Sequence, residues 1–246
     1  MSTIGRTVAY SRFEGVRLIR NMGFIGPAIV IPTVMYVVFT RLGDNAGKAD
    51  VAEYLMVSMA CFGAVGAALS NGLSAIEERD LGWLQQLRAT PLPAVACVVA
   101  RGLLGVLASV PPVVVVLAVG ALVDQVRLSP LHWVECAAAM IVGVVPFALL
   151  GVVVGYGART QLAQQLSMLL NLGLALIGGL WIPANNFPAA LEAISGWSPT
   201  SCYAAITRGF AGIRGLDMLD LAKLGGWTLV LLALAVVACV RAVRTK

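Results

Sequence analysis

The sequence predicts an all-α membrane protein, a single transmembrane domain over residues 1–246 with six spanning helices and short helices in its two long connections. Three observations carry that prediction. Hydrophobic residues make up 59% of the 246-residue chain, and its 26 glycines bring the apolar-plus-glycine share to about 70%, against ~45–50% in a soluble domain. Charged residues amount to 12%, too few to cover a globule of this size with water-compatible groups. Six continuous apolar runs are each long enough, at about 20 residues, to cross a ~30 Å hydrocarbon core as a helix.

Residues 1–21 precede the first run. Ile4, Val8, Gly15 and Ile19 fall on one side of a helix and Arg6, Arg17 and Arg20 on another, as in a short helix lying in the headgroup layer. Phe13 falls on the basic side, so a basic tail that merely fixes topology fits as well. The first run, 22–40, exceeds a signal-peptide core and ends Val38-Phe39-Thr40-Arg41 without a small-x-small cleavage site, so it reads as a retained span. The others are 54–76, 103–123, 133–156, 162–182 and 224–240. None alternates with period two, which excludes a barrel, and in lipid a helix satisfies its own backbone groups. Pro111-Pro112 and Pro146 are expected to kink spans three and four. Ala60, Ala64 and Ala68 in span two and Gly151-x3-Gly155 in span four permit close helix approach, within the chain or across a dimer.

The even number of spans puts both termini on one side. With that side cytoplasmic, the inner segments hold 11 of the 17 Lys and Arg and net +7, while the outer segments net −2. The excess inside orients the chain, N- and C-termini in. The basic balance reads as topology and lipid attraction, not nucleic-acid binding.

Two connections are long. The cytoplasmic one, 77–93, opens on Glu77-Glu78-Arg79-Asp80 and closes on Arg88 before Thr90-Pro91, the charge order a helix dipole favours followed by a stop. Leu84, Leu87 and Arg88 share a face, and Trp83 stacks over Leu87 at i+4 spacing. A short interfacial helix and a solvated loop with a headgroup-anchoring Trp both satisfy this composition. The outer connection, 183–223, is too apolar for a plain solvated loop. Its breakers Pro183, Pro188, Gly196 and Pro199 frame two short helices, 189–195 and 200–210, that lie at the interface or dip back into the protein. Gly178-Gly179 should leave the end of span five flexible.

Catalytic constellations are missing. Gly72-Leu73-Ser74 has the look of a nucleophile turn, but the one histidine, His132, lies at the opposite membrane face. No phosphate-binding Gly-rich loop is present, since Gly47-Lys48 is followed by Ala49, so the chain does not hydrolyse ATP unaided. The five cysteines lack C-x-x-C spacing and read as buried thiols. No span centre carries the ionisable residue that ion-coupled transport normally needs. Span centres instead hold amides: Asn71 with Ser70 and Ser74 in span two, Asn171 in span five, and Gln165 about two turns deeper. Such groups either bond across helices or line a polar route.

Read together, the two long connections are recognisable. Glu78-Arg79-x-x-Gly82-Trp83-Leu84-x-x-Leu87-x-x-Thr90-Pro91-Leu92 resembles the cytoplasmic element of type-2 ABC exporter permeases of the daunorubicin and polyketide-antibiotic type. Gly178-Gly179-x-Trp181-x-Pro183, Phe187-Pro188, Ser198-Pro199 and Tyr203 resemble that family's segment between the last two spans. The resemblance covers essentially the whole chain. It departs at Trp83, where Thr is frequent, and at Gln85, where an acid is.

The resemblance implies a half-transporter in the bacterial inner membrane. A second permease, identical or different, pairs with it, and two ABC ATPase subunits carry the ATP and Mg, leaving this chain without cofactor or metal. Glu78, Arg79, Gly82, Trp83, Leu84, Leu87, Thr90 and Pro91 then form the coupling helix that docks on the ATPase. Asn71, Gln165 and Asn171 become candidates for the substrate path, and Gly178, Gly179, Trp181, Pro183, Phe187, Pro188, Pro199 and Tyr203 for an outer gate. The implied function is export of a hydrophobic or amphipathic drug-like molecule. Lipid or polysaccharide export within the family, an ion-coupled transporter or channel, and an immunity or assembly factor are the alternatives.

Overall fold

The computed structural model describes residues 22–41, 48–80, 94–158, 160–182 and 187–244. All regular structure among them is helical, in the order α1 (Met22–Arg41), α2 (Ala49–Asp80), α3 (Ala94–Val123), α4 (Pro130–Gly143), α5 (Val145–Gly157), α6 (Thr160–Ile177), α7 (Ala189–Ser195), α8 (Pro199–Phe210) and α9 (Met218–Arg244). Four stretches are long and apolar enough to cross a membrane: Ala49–Gly72, Val95–Val123, Pro130–Gly157 and Met218–Ala242. At the first and fifth predicted spans stand shorter apolar helices, Gly26–Arg41 and Gln161–Ile177. Each of the six predicted runs thus holds helix, and four of them lie in stretches of full spanning length. The N-terminal segment 1–21 lies outside the described residues.

Helix α2 is the centre of the bundle, with 83% of its most apolar stretch buried against α1, α3, α5, α6 and α8. Small residues make that possible. A Cβ on Gly72 would overlap the carbonyl of Gly151, and one on Gly151 would lie 2.8 Å from Leu69 O and 3.0 Å from Ala68 O. The small-residue face of the predicted fourth span therefore packs within the chain, backbone on backbone against α2. The surrounding helices keep large apolar side chains outward, among them Val30 and Val34 on α1, Leu103 and Val114 on α3, and Leu229 and Val230 on α9. Lipid is the solvent that accepts such faces.

The helix ends follow local chemistry. Ser129 caps α4 by accepting from His132 N at 3.2 Å, with Pro130 in the first turn. Pro146 cannot donate to the preceding turn, so the predicted fourth span breaks at Val144, whose carbonyl accepts from Phe147 N and Ala148 N. Pro111 and Pro112, in contrast, lie within an uninterrupted α3.

Three expectations are corrected. Helix α2 runs on through Glu78 and Arg79 to Asp80, so these residues extend a span instead of opening a separate helix. Helix α6 stops at Ile177, five residues before the expected end. The stop is Gly179 at φ +66°, with Leu180 N bonded to Ala175 O and Gly179 N to Leu176 O, a left-handed glycine closure of the helix. The Gly178-Gly179 pair is accordingly specified and not loose: Gly178 is glycine because Thr200 packs on it, where a Cβ would sit 2.5 Å from Thr200 Cβ.

Candidate functional site

At one end of the bundle the chain folds back into itself. Helices α7 and α8 occupy 189–195 and 199–210, matching the two short helices expected there, and α8 is inserted between α2, α4, α6 and α9. Pro199, Thr200 and the run from Cys202 to Thr207 are buried. This is the arrangement in which a non-spanning segment dips into the protein, not the one in which it floats at the interface.

Five attachments hold the insertion. Tyr203, fully buried, donates its hydroxyl to Met140 O at 2.8 Å and packs its ring 5.5 Å from that of Phe147. Gly143 leaves room for it, since a Cβ there would lie 2.7 Å from the Tyr203 ring. From α9, Lys223 Nζ donates to Gly196 O at 2.8 Å and Trp227 Nε1 to Trp197 O at 2.9 Å. The loop after α8 turns at Gly212, φ +81°, where the His132 ring fills the space a side chain would need.

The remaining attachment is Arg208. Its guanidinium carbon sits 4.0 Å over the Tyr54 ring, and one terminal nitrogen donates to Ser58 Oγ at 2.9 Å and to Gly179 O at 3.4 Å. Tyr54 also donates its hydroxyl to Gly179 O, at 3.0 Å. A single cation thus joins α8, α2 and the end of α6. Arg208 is not among the site candidates that the sequence offers. On α8 it stands opposite the apolar stripe of Tyr203, Ile206 and Phe210, so the hydrophobic period of the helix does not point to it.

The face of α2 that receives Arg208 continues at four-residue spacing through Tyr54, Ser58, Phe62 and Gly66. Trp181 stands edge-on to Phe62, with ring centroids 5.5 Å apart. Asn171 lies over Gly66, where a Cβ would meet its Nδ2 at 2.9 Å. Ser167 is one turn earlier on α6. Along this α2–α6 seam Arg208 Nε, Trp181 Nε1, Asn171 Oδ1 and Ser167 Oγ are buried without a hydrogen-bond partner among the described residues. Unmet buried polar atoms cost about 1–3 kcal/mol each, so four on one seam are unusual for a purely structural contact.

The candidate path residues therefore separate. Asn171 lies in the seam. Gln165 is exposed on α6. Asn71 turns away: it is 7% exposed and donates Nδ2 to Arg101 O at 3.2 Å, an α2–α3 cross-link. Five residues separate Asn71 from Gly66, which rotates it by about 140° from the α6 face.

Of the candidate gate residues, Gly178, Gly179, Pro199 and Tyr203 are buried around the inserted α8, and Trp181 is half-buried on the seam. Phe187 is half-buried, and Pro188 is exposed at the start of α7. Pro183 lies outside the described residues, as do Gly82, Trp83, Leu84, Leu87, Thr90 and Pro91 of the candidate coupling element. Of the cysteines, Cys61, Cys136, Cys202 and Cys239 are buried.

Comparison with known proteins places this architecture. The profile of the ABC-2 type transporter family matches residues 7–210. "Putative transport permease YvfS" of Bacillus subtilis (strain 168) is 30% identical over 191 residues, which cover 76% of this chain and 78% of that protein. Permeases of this family lack ATPase activity of their own and generally pair with an ABC ATPase. With a match over most of its length and a helical apolar bundle to carry it, the chain belongs to the ABC-2 type transporter family, as a multi-pass membrane permease subunit.

Proposed function

We propose that this permease is half of an ATP-driven exporter that moves a hydrophobic or amphipathic small molecule of drug or antibiotic type out of the cytoplasm or inner leaflet. The observation that carries the reading is the inserted α8, pinned through Arg208 to α2 and to the end of α6. It closes one end of a seam that holds unpaired polar groups along its length. A closed end over a polar-dotted seam is what an exit gate requires.

In this reading the chain spans six times, with α1 and α6 crossing despite their shorter apolar stretches and both termini in the cytoplasm. The end carrying Arg41, Asp124 and α8 faces outward. Two permeases pair, and each presents the segment from Glu78 to Pro91 to one of two ABC ATPase subunits. Closure of the ATPases displaces these segments as rigid bodies, and α2, continuous from Asp80 to Ala49, carries the displacement to the gate. The apolar composition favours amphiphiles over sugar polymers, and Asn171, Gln165 and Ser167 supply the polar contacts on the way.

The test is recovery of the tagged chain from its native membrane in mild detergent, with an ATPase assay on what accompanies it. An ATP-binding cassette subunit with vanadate-sensitive turnover is expected, and its loss from the Trp83→Ala, Leu87→Ala double variant. Recovery of the permease alone across several detergents, or unchanged co-purification of the double variant, refutes the assignment.

A further inference from the structure

The outer end of the α2–α6 seam presents a cation without a counter-ion. Arg208 makes no ion pair with a described carboxylate. The ion pairs among the described residues join other groups: Asp124 to Arg41 at 3.3 Å and Asp220 to Arg214 at 3.4 Å. Its actual partners, the Tyr54 ring, Ser58 Oγ and Gly179 O, offer only partial negative charge. A sequestered guanidinium with no anion is costly, and such residues in membrane proteins mark binding sites or pathways.

The neighbouring groups point the same way. Arg208 Nε and Trp181 Nε1 are both buried donors with no acceptor among the described residues. They lie one turn apart on the α2 stripe, the first beside Ser58 and the second beside Phe62. Thr200 Oγ1, against Gly178, is likewise buried and unpaired. What the cluster lacks is an anionic acceptor. The side chains packed around it are apolar and buried: Phe62, Leu180 and Ile206.

We propose that this end of the seam binds the phosphate or carboxylate headgroup of an amphiphile, with Arg208 as its counter-charge and Trp181 as a second donor. The inference rests on the export reading for the role of that amphiphile as cargo. The binding itself belongs to the permease alone. It adds a negative headgroup to the substrate description, and it makes Arg208 two-state: bonded to Ser58 and Gly179 when the site is empty, and shared with the headgroup when it is filled. Occupancy then weakens the tie between α8 and α6, so cargo arrival loosens the gate.

The experiment measures binding of radiolabelled dodecyl phosphate to the full-length permease in phosphatidylcholine nanodiscs, with dodecanol, dodecyltrimethylammonium and inorganic phosphate as competitors. Wild type should prefer dodecyl phosphate over dodecanol by at least about tenfold, the scale of one charge-assisted hydrogen bond. Arg208→Gln should abolish the preference, Arg208→Lys retain most of it, and Trp181→Phe reduce it severalfold. Equal competition by dodecanol overturns the site, as does unchanged preference in a folded Arg208→Gln. Equal competition by inorganic phosphate overturns the amphiphile. Should Arg208→Gln not fold, Trp181→Phe decides: wild-type affinity in that variant refutes the proposal. None of these readouts needs the ATPase, so failure here leaves the co-purification result standing, and the reverse.

Discussion

Adding one methyl group at Gly72 tests the packing on which the whole bundle depends. The new Cβ would overlap the Gly151 carbonyl and lie 2.7 Å from Gly151 Cα, with backbone and no flexible side chain in the way. Helices α2 and α5 would have to part by roughly 1 Å, so the substitution belongs at the upper end of overpacking costs, about 3 kcal/mol. Replacing glycine inside a helix recovers about 1 kcal/mol of propensity. The net loss of about 2 kcal/mol corresponds to a fall of roughly 4–8 °C in melting temperature for a chain of this size. Gly225→Ala is the matched control: nothing lies within 4 Å of its Cβ position, so only the propensity gain of about 1 kcal/mol operates. Melting of the detergent-solubilised proteins, followed by size-exclusion chromatography of heated samples, reads both. Gly72→Ala melting at or above wild type would refute the backbone contact between α2 and α5.

Asn71→Ala removes the α2–α3 cross-link and should cost about 1 kcal/mol in the same melt while leaving substrate stimulation of the ATPase intact. Asn171→Ala should do the opposite, altering stimulation with little change in melting, and the reverse pair of results would exchange their roles. Tyr203→Phe loses the bond to Met140 O and should lower stability by about 1 kcal/mol, with increased labelling of a cysteine placed at Thr200; unaltered melting and labelling would show that the hydroxyl is not what seats α8. Cysteines at Lys48 and Asp217 should react with an impermeant thiol reagent in intact cells and one at Arg88 should not, a pattern whose inversion would reverse the orientation.

How much of this was legible depends on the kind of signal. Long apolar runs locate themselves, so a helix stands at each predicted run, and the two short helices expected near 189–195 and 200–210 matched to within a residue. Helix α6 was overextended because the run stays apolar through Trp181, while the stop is a backbone event at Gly179 that hydropathy does not register. The resemblance of the outer segment marked its glycines and Tyr203 as a gate, and periodicity permitted insertion. Neither showed that Arg208 would meet Tyr54 and Ser58, 150 positions apart in the case of Ser58, because pairing across a fold leaves no local trace. The amides illustrate the same limit. Asn71 and Asn171 have identical chemistry and similar flanks, and only the azimuth of each on its helix sends one to a backbone carbonyl and the other into the seam.

The central position of α2 also dictates when the molecule can become itself during synthesis. It is the second of the described helices in chain order, and most of its neighbours come later: α3, α5, α6 and α8. Until Gly151 arrives the groove at Gly72 stands open to lipid, and until Arg208 arrives Ser58 has only its own helix to bond, through Tyr54 O at 2.8 Å. The last ties, from Lys223 and Trp227, are made by the final helix. Insertion into the bilayer and assembly within it are therefore separated in time, and a chain stalled before α9 should accumulate as an inserted but unassembled protein, open to quality-control proteases.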